Sequence, residues 1–465
     1  MRTQTTFDDA ARNPASFRDP SGFIFHENGR IRRAVTEYGL ENARAVRATG
    51  LIDRLIDAGL LIPEEVVSTV LDGRPDVRLV LEHPRLPFVS YPYEWSFLGL
   101  QAAALLHLDV HLQALDAGVM LTDASAYNVQ FVGARPVFID HLSFRPYRDG
   151  ELWAGHRQFC EQFLHPLLLR GLFGIEFQPW YRGRPDGIAG EDVTRLLRLR
   201  HKLHWNLLVN VVLPARLQRV AARRGMETRI SNGRLSRPAL REMLSSLRRW
   251  IAGMRPKGLD ATRWADYELT VPAEEIAVVS DFVARFVDHV RPRMLWDLGC
   301  NAGRYSEAAL RAGAGYVVGV DYDAGAVNKA FIRARDEHLQ FLPLYVDLSN
   351  PTPNQGWRER ERENLFDRTR ADALLAIAVV HHLALSGNAP LEEIVSMLTG
   401  LAPEGVVGFV PATDPRAQAL FAGREDMFRS YTLDHFLTLL RSRARIVRQE
   451  TIPGSERVLI WFSTR

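Results

Sequence analysis

The residues best placed to do chemistry close a short apolar run, Leu295-Trp-Asp-Leu-Gly-Cys-Asn-Ala-Gly-Arg-Tyr-Ser306. The run ends in Asp297, and a tight loop with Gly299, Cys300, Asn301 and Gly303 follows. A helix is expected from near Tyr305. Gly299 lets the chain turn sharply, and Gly303 lets the backbone approach a ligand or a strand closely. Asn301 tolerates the left-handed region better than most residues, so the turn survives without a third glycine. Twenty-four residues after Asp297 a second run, Tyr316-Val-Val-Gly-Val-Asp321, ends in another acid. Strand, glycine turn, helix and a second strand ending in an acid make a nucleotide-binding βαβ unit.

The type of nucleotide follows from charge. A dinucleotide loop spaces its glycines G-x-G-x-x-G and turns backbone amides and a helix dipole on a pyrophosphate. Here the glycines are four apart, and the nearby acid would repel phosphate. Asp297 would instead attract an ammonium group, and Asp321 is placed for ribose hydroxyls. An acid for an amine, an acid for a ribose and no phosphate cradle together suggest S-adenosylmethionine.

From this point the chain resembles the class I S-adenosylmethionine-dependent methyltransferases. Asp297-Leu-Gly-Cys-Asn-Ala-Gly303 is similar to their first motif, with Asn301 in place of the commoner glycine. Val320-Asp321-Tyr322 resembles the second, which implies that Asp321 holds ribose and Tyr322 flanks adenine. Val346-Asp347-Leu348 resembles the third, which implies that Asp347 reaches the adenine edge. Ala371-Asp-Ala-Leu-Leu-Ala-Ile-Ala-Val-Val-His381-His382 resembles the fourth strand and its exit. Ala378 would then lie beside the cofactor and His381 would face the methyl group. The stretches Phe409 to Pro415 and Arg424 to Tyr431 are also similar to bacterial nodulation-protein-like methyltransferases.

In such a reaction the protein mainly aligns the nucleophile. His381 or His382 could serve as a base for a hydroxyl acceptor near neutral pH. Either could equally be a packed strand-end residue. The Asn/Asp-Pro-Pro-aromatic signature of many nucleic-acid amino methylases is absent. A small-molecule, glycan or lipid-linked acceptor is therefore favoured, and nucleic acid is disfavoured. Elements to carry this site are expected as a helix over 274–290, a fifth strand over 406–411, a helix over 432–442 and a terminal strand pair around Pro453-Gly454. Trp264 and Tyr267 suit either a lid over the cofactor or ordinary packing.

A second constellation lies in the first half. Asp123, Asn128 five residues on, and Asp140 after a hairpin turning at Gly133 could supply a base and two magnesium ligands. This resembles the catalytic and metal-binding loops of protein-kinase-like folds. The resemblance implies Asp123 as base, Asn128 and Asp140 as metal ligands, and an ATP/Mg site. The same Asp and Asn residues also suit capping a turn. Thr122 replaces the usual arginine, and no glycine-rich loop precedes the fold. No lysine occurs before Lys202, so the phosphate-pairing strand lysine is missing unless an arginine stands in. A degenerate kinase-like domain is the favoured reading.

The elements positioning this cluster are expected as a hairpin over 21–37 turning at Asn28-Gly29, a helix over 41–58, strands over 65–71 and 77–82, and a strand-like run from Phe88. A long helix over 94–117 follows. Arginine-rich helices over 191–224, broken near Pro214, and a helix over 236–254 come next. Their basic stripe reads better as a solvated face than as a nucleic-acid surface.

At 465 residues there is room for several cores. The boundaries read as a kinase-like domain over 1–185, a helical extension over 186–258 and a methyltransferase domain over 259–465. The fold class is α/β. It comprises a Rossmann-like, mostly parallel seven-stranded sheet preceded by an α+β kinase-like domain and a helical linker. A net charge of +3 is too small to imply nucleic acid. Cys160 and Cys300 cannot make a disulfide framework. No signal-peptide core opens the sequence and no apolar run spans a bilayer. A cytoplasmic bacterial protein with no metal in its methyltransferase domain is expected, and the methyl acceptor stays open.

Overall fold

The computed structural model describes residues 12–202, 204–216, 234–260, 262–264, 271–421 and 423–465. The chain begins with the antiparallel pair β1 (Gly22–Glu27) and β2 (Arg30–Thr36), closed by Asn28 and Gly29, both at positive φ. The expected helix over 41–58 is two helices, α1 (Glu37–Ala48) and α2 (Leu51–Asp57). Gly50, at φ 67°, breaks them, because a left-handed residue cannot continue the helix. β3 (Glu65–Ser68) and β4 (Val77–His83) complete a four-stranded sheet of order β1-β2-β4-β3. The run at Phe88 forms no strand. It leads through the turn Pro92–Glu94 into α3 (Phe97–Asp116), capped by the Ser96 hydroxyl.

Two short antiparallel pairs pack beyond α3. β5 (Val119–Leu121) pairs with β8 (Phe144–Pro146), and β6 (Val129–Val132) with β7 (Arg135–Phe138). The later helices break at Leu197, not at Pro214, which lies within a helical stretch. Arg219, Arg223 and Arg224 of the expected basic stripe lie outside the described residues, and Arg195 is paired with Glu191 and Asp192. α4 (Arg237–Gly253) presses Leu240, Leu244, Leu247 and Ile251 into the core alongside α3.

α5 (Ala273–Val290) opens the C-terminal part, followed by β9 (Met294–Leu298), α6 (Arg304–Arg311), β10 (Tyr316–Asp321), α7 (Ala324–Asp336) and β11 (Phe341–Tyr345). β12 (Ala373–Ala376), α8 (Leu391–Leu401), β13 (Glu404–Phe409), α9 (Leu433–Arg441), β14 (Arg445–Thr451) and β15 (Val458–Ser463) complete it. The seven strands stand in the order β11-β10-β9-β12-β13-β15-β14. β15 runs antiparallel to both neighbours, and the other pairings within the sheet are parallel. The order reverses between β9 and β12, the crevice where an open α/β sheet binds ligands. β9, β10 and β12 are buried on both faces, as their largely apolar runs require, with Asp297 buried within β9.

The two parts share one continuous core. Phe131, on the β6–β7 hairpin, meets Phe331 of α7 edge-on at 6.1 Å. The connection between β11 and β12 lies against the turn before α3, where Thr352 Oγ1 donates to Glu94 at 2.6 Å. Among the described residues no helix is long and apolar enough to cross a membrane.

Candidate functional site

A cavity of about 360 Å³ opens at the strand-order reversal. The turn between β9 and α6 forms its floor. Gly299 sits at φ 75°, where a Cβ would collide with Val379, and Gly303 at φ 81°, where one would collide with the Phe341 ring. Both glycines are therefore demanded by close packing as well as by φ. Gly299 lines the cavity and Gly303 does not, so the expected ligand approach at Gly303 is an approach to Phe341.

Every amide of this turn has an acceptor within the protein. Gly299 and Cys300 donate to the Val320 carbonyl at 2.8 and 3.0 Å, and Gly303 donates to that of Cys300 at 2.8 Å. Asn301 donates to Asp321 Oδ2 at 2.9 Å, and Ala302 to Asn301 Oδ1 at 2.8 Å. No amide of the turn is left to cradle a phosphate, unlike the loop of a dinucleotide site. Asn301 is itself left-handed at φ 48°.

Asp321 ends β10 and lines the cavity. It also accepts from the Asp323 amide at 2.9 Å, which fixes its plane. Burial pushes its pKa up to about 6 despite these bonds. Asp297 differs from its expected place. It is 2% exposed and not among the side chains lining the cavity. The turn folds back over the end of β9, and Ser306, in the first helical turn beyond, covers the carboxylate with a bond of 2.6 Å. Burial pushes its pKa up to about 7. The side chain that lines the cavity from this loop and carries charge is Arg304, which the sequence reading did not single out.

Tyr322, Asp347, Leu348 and Ala378 line the same cavity, as does Cys300, a buried free thiol. Asp347 Oδ1 accepts from the Ser349 amide at 2.8 Å. Trp264 also lines the cavity. Its amide donates to Asp323 Oδ2 at 2.9 Å, its indole to the Tyr322 hydroxyl at 3.0 Å, and its carbonyl accepts from Asn301 at 3.1 Å. It meets His382 edge-on at 5.1 Å. Tyr267 lies outside the described residues.

His381 and His382 both line the cavity, with ring centroids 4.2 Å apart. They follow β12 where the chain enters a π-helical turn, His382–Ser386, a wider coil often found at functional positions. Burial, then the Arg263 charge, lowers the pKa of His382 to about 4. His382 is therefore neutral at pH 7.

The donor set fits a nucleoside that carries an amino-acid moiety. The carboxylate of Asp321 and the side chain of Arg304 both line the cavity, and the amides of the turn at 299–303 are all bonded within the protein. The second constellation also converges. Asn128 Nδ2 donates to Asp123 Oδ2 at 3.0 Å and to Asp140 Oδ2 at 3.5 Å, and Ser143 donates to Asp140. Arg33 of β2 reaches across 107 residues to pair with Asp140 at 2.9 Å, and also donates to the Ile139 carbonyl. Burial, with Asp140 adding repulsion, raises the pKa of Asp123. Among the described residues no group of three His, Cys, Asp or Glu side chains is placed to hold a metal ion.

The sheet order with its antiparallel seventh strand and the crevice at its reversal are those of a Rossmann-like, methyltransferase-type α/β fold in the C-terminal part. No family model matches the chain. Nodulation protein NoeA of Rhizobium meliloti (strain 1021) is 44% identical over 463 residues, covering 97% of this chain and 96% of that protein. The chain belongs to the NoeA family.

Solved structures matched by the chain include N-methyltransferase NodS from Bradyrhizobium japonicum WM9, at 13% identity and a TM-score of 0.31 over 41% of this chain and 97% of that one. The bifunctional kinase-methyltransferase WbdD is matched at 15% identity and a TM-score of 0.30, over 40% of this chain and 39% of that one.

Proposed function

We propose that the chain is an S-adenosylmethionine-dependent methyltransferase whose N-terminal part binds or presents the acceptor. Its kinship with NoeA points to a role in nodulation. The observation that carries the reading is the turn at 299–303, whose amides are all internally bonded beside a cavity-facing Asp321. That arrangement recognises a ribose and offers nothing to a pyrophosphate.

The sulfonium supplies a methyl group already activated for transfer, because its carbon–sulfur bond breaks to leave a neutral thioether. Asp321 accepts from the ribose hydroxyls, Tyr322 and Leu348 flank the base, and Asp347 lies at its edge. Arg304, a residue of the first helical turn of α6, pairs with the amino-acid carboxylate. Asp297 acts through Ser306 to hold the turn. Trp264 closes the opening and excludes water. The acceptor's lone pair forms the new bond to the methyl carbon. Its proton, where it carries one, passes to His381, which lines the cavity just after β12.

The antiparallel sheet, the long α3 and the meeting of Asp123, Asn128 and Asp140 support a degenerate kinase-like domain for the N-terminal part. Arg33 occupies one oxygen of Asp140 and would compete with a metal ion there. This favours presentation of an acceptor over phosphate transfer. Calorimetric titration with S-adenosylhomocysteine, then NAD, then ATP with magnesium tests the whole reading. Micromolar binding of the first alone is expected. Binding of NAD instead would overturn the cofactor assignment, and ATP binding removed by Asp140→Ala would restore a second activity.

A further inference from the structure

Two short helical pieces, Leu199–Lys202 and Trp205–Leu207, leave large apolar side chains in water. Leu199 is 82% exposed and Trp205 72%, and Ile175 nearby is 40% exposed. One exposed apolar residue needs no account, but several on one surface do. Ring and backbone contacts bring the pieces that carry them together. His201 meets Phe173 edge-on at 5.8 Å, so the stretches holding Leu199 and Ile175, each two residues away, lie side by side. His204, just before Trp205, stacks on Trp250 of α4 at 6.0 Å. The Lys257 amide donates to the Arg170 carbonyl at 3.2 Å, which lays the chain beyond α4 along the stretch that leads to Ile175. An open groove runs between these pieces, and Leu172, His204, Arg249, Trp250 and Arg255 line it. Each of the five is exposed or half-buried.

The charge here is positive. Arg249 and Arg255 line the groove itself, and Arg255 donates to the Ala252 and Met254 carbonyls. Lys257 is exposed, and its methylenes run 3.9 Å from where a Cβ on Gly174 would stand. Among the described residues, Glu242 offsets Arg249 at 2.7 Å. Glu176, next to Ile175, is already neutralised by Arg170 at 2.6 Å. Cations are therefore in excess around the three exposed apolar side chains. A bilayer with anionic headgroups matches both features. An indole settles at headgroup level, aliphatic side chains reach the acyl boundary, and guanidinium and ammonium groups meet the lipid phosphates. A nucleic acid would engage the cations but would leave Leu199 and Ile175 without an apolar partner. A second copy laid on the same surface would set like charges together.

We propose that this surface docks the protein on an anionic lipid bilayer. Leu199 and Trp205 enter the interface, and Arg249, Arg255 and Lys257 lie against the headgroups. Such docking needs no membrane-crossing helix. It stands apart from the methyltransferase reading, because none of these residues lines the cofactor cavity.

The full-length protein would be floated with vesicles of phosphatidylcholine alone and of phosphatidylcholine mixed with phosphatidylglycerol. Binding to the mixed vesicles is expected, falling as salt rises, with little to the neutral ones. Leu199→Ser combined with Trp205→Ser should lower the partition about tenfold or more. Arg255→Gln and Lys257→Gln should each lower it about fivefold. All four side chains are exposed, so melting temperature and S-adenosylhomocysteine affinity should not change in these variants. In the unsubstituted chain, brominated phosphatidylglycerol should quench tryptophan fluorescence, and Trp205→Phe should remove most of that quenching. Equal binding to both kinds of vesicle would overturn the inference, as would anionic-vesicle binding that survives the Leu199 and Trp205 changes. So would an absence of flotation, whether the surface instead held an RNA oligonucleotide or gave a concentration-dependent dimer lost in Leu199→Ser.

Discussion

Arg368 and Glu94, 274 residues apart, form a doubly bonded ion pair at 2.8 and 2.6 Å with each side chain about 1% exposed. The Arg368 guanidinium also lies 4.1 Å from the centre of the Tyr91 ring. Glu94 accepts further from the Tyr91 amide and from Thr352. The pair joins the turn before α3 to the connection between β11 and β12. That connection begins at Asp347 and Leu348, on the cavity wall. A buried pair of this kind is a weak net stabiliser, yet removing one partner strands a charge away from water. Arg368→Met should therefore cost about 3–5 kcal/mol, and Glu94→Gln added to it should recover part of the loss. Denaturant unfolding of the single and double variants reads this; a neutral Arg368→Met would mean that the two parts are not held by this contact.

Asp321 ties ligand affinity to pH. Its pKa of about 6 lies above the ordinary carboxylate value, so it takes up a proton as pH falls through 6. The protonated form loses acceptor strength toward ribose. S-adenosylhomocysteine affinity should hold between pH 7 and 8 and fall below pH 6, approaching tenfold per unit. Asp321→Asn should bind weakly at every pH, with the pH dependence gone. A parallel fall in that variant would assign the effect elsewhere.

Asp297 ties stability to pH in the opposite sense from an ordinary surface acid. Its folded pKa of about 7 exceeds the unfolded value near 3.8. The folded chain thus holds a proton that the unfolded chain releases between about pH 4 and 7, and stability from this group falls as pH rises through that window. Asp297→Asn keeps an acceptor for Ser306 and cannot ionise. Its melting temperature relative to the parent chain should rise from pH 5 to pH 8. A constant difference would show that Asp297 does not titrate in the folded protein.

Gly303 admits no side chain. Alanine there would need a left-handed backbone at φ 81° and would collide with Phe341. The two effects together should cost about 2 kcal/mol or more. Gly133→Ala is a useful comparison, because it too is left-handed but its collision is with the Leu339 carbonyl, away from the cavity. Both variants should melt lower, and only Gly303→Ala should also weaken S-adenosylhomocysteine binding. Equal loss of binding in both would trace the effect to general destabilisation.

The amino-acid order alone determined the run of strand, turn and helix from Leu295 onward and the terminal strand pair. These depend on apolar periodicity and on turn residues within a few positions of one another. The same local logic identified the hairpin at Asn28-Gly29 and the residues at the ends of β9, β10 and β12. It joined α1 to α2, because nothing in the periodicity marks Gly50 as left-handed. It also assigned Asp297 to a ligand, because an acid at a strand end looks the same whether it faces the crevice or a helix. Only the tertiary structure decided that Ser306 would cover that acid, that Arg33 would meet Asp140, and that Arg368 would meet Glu94. Such pairings span tens to hundreds of residues and follow from how whole elements pack, which no local pattern of residue types encodes.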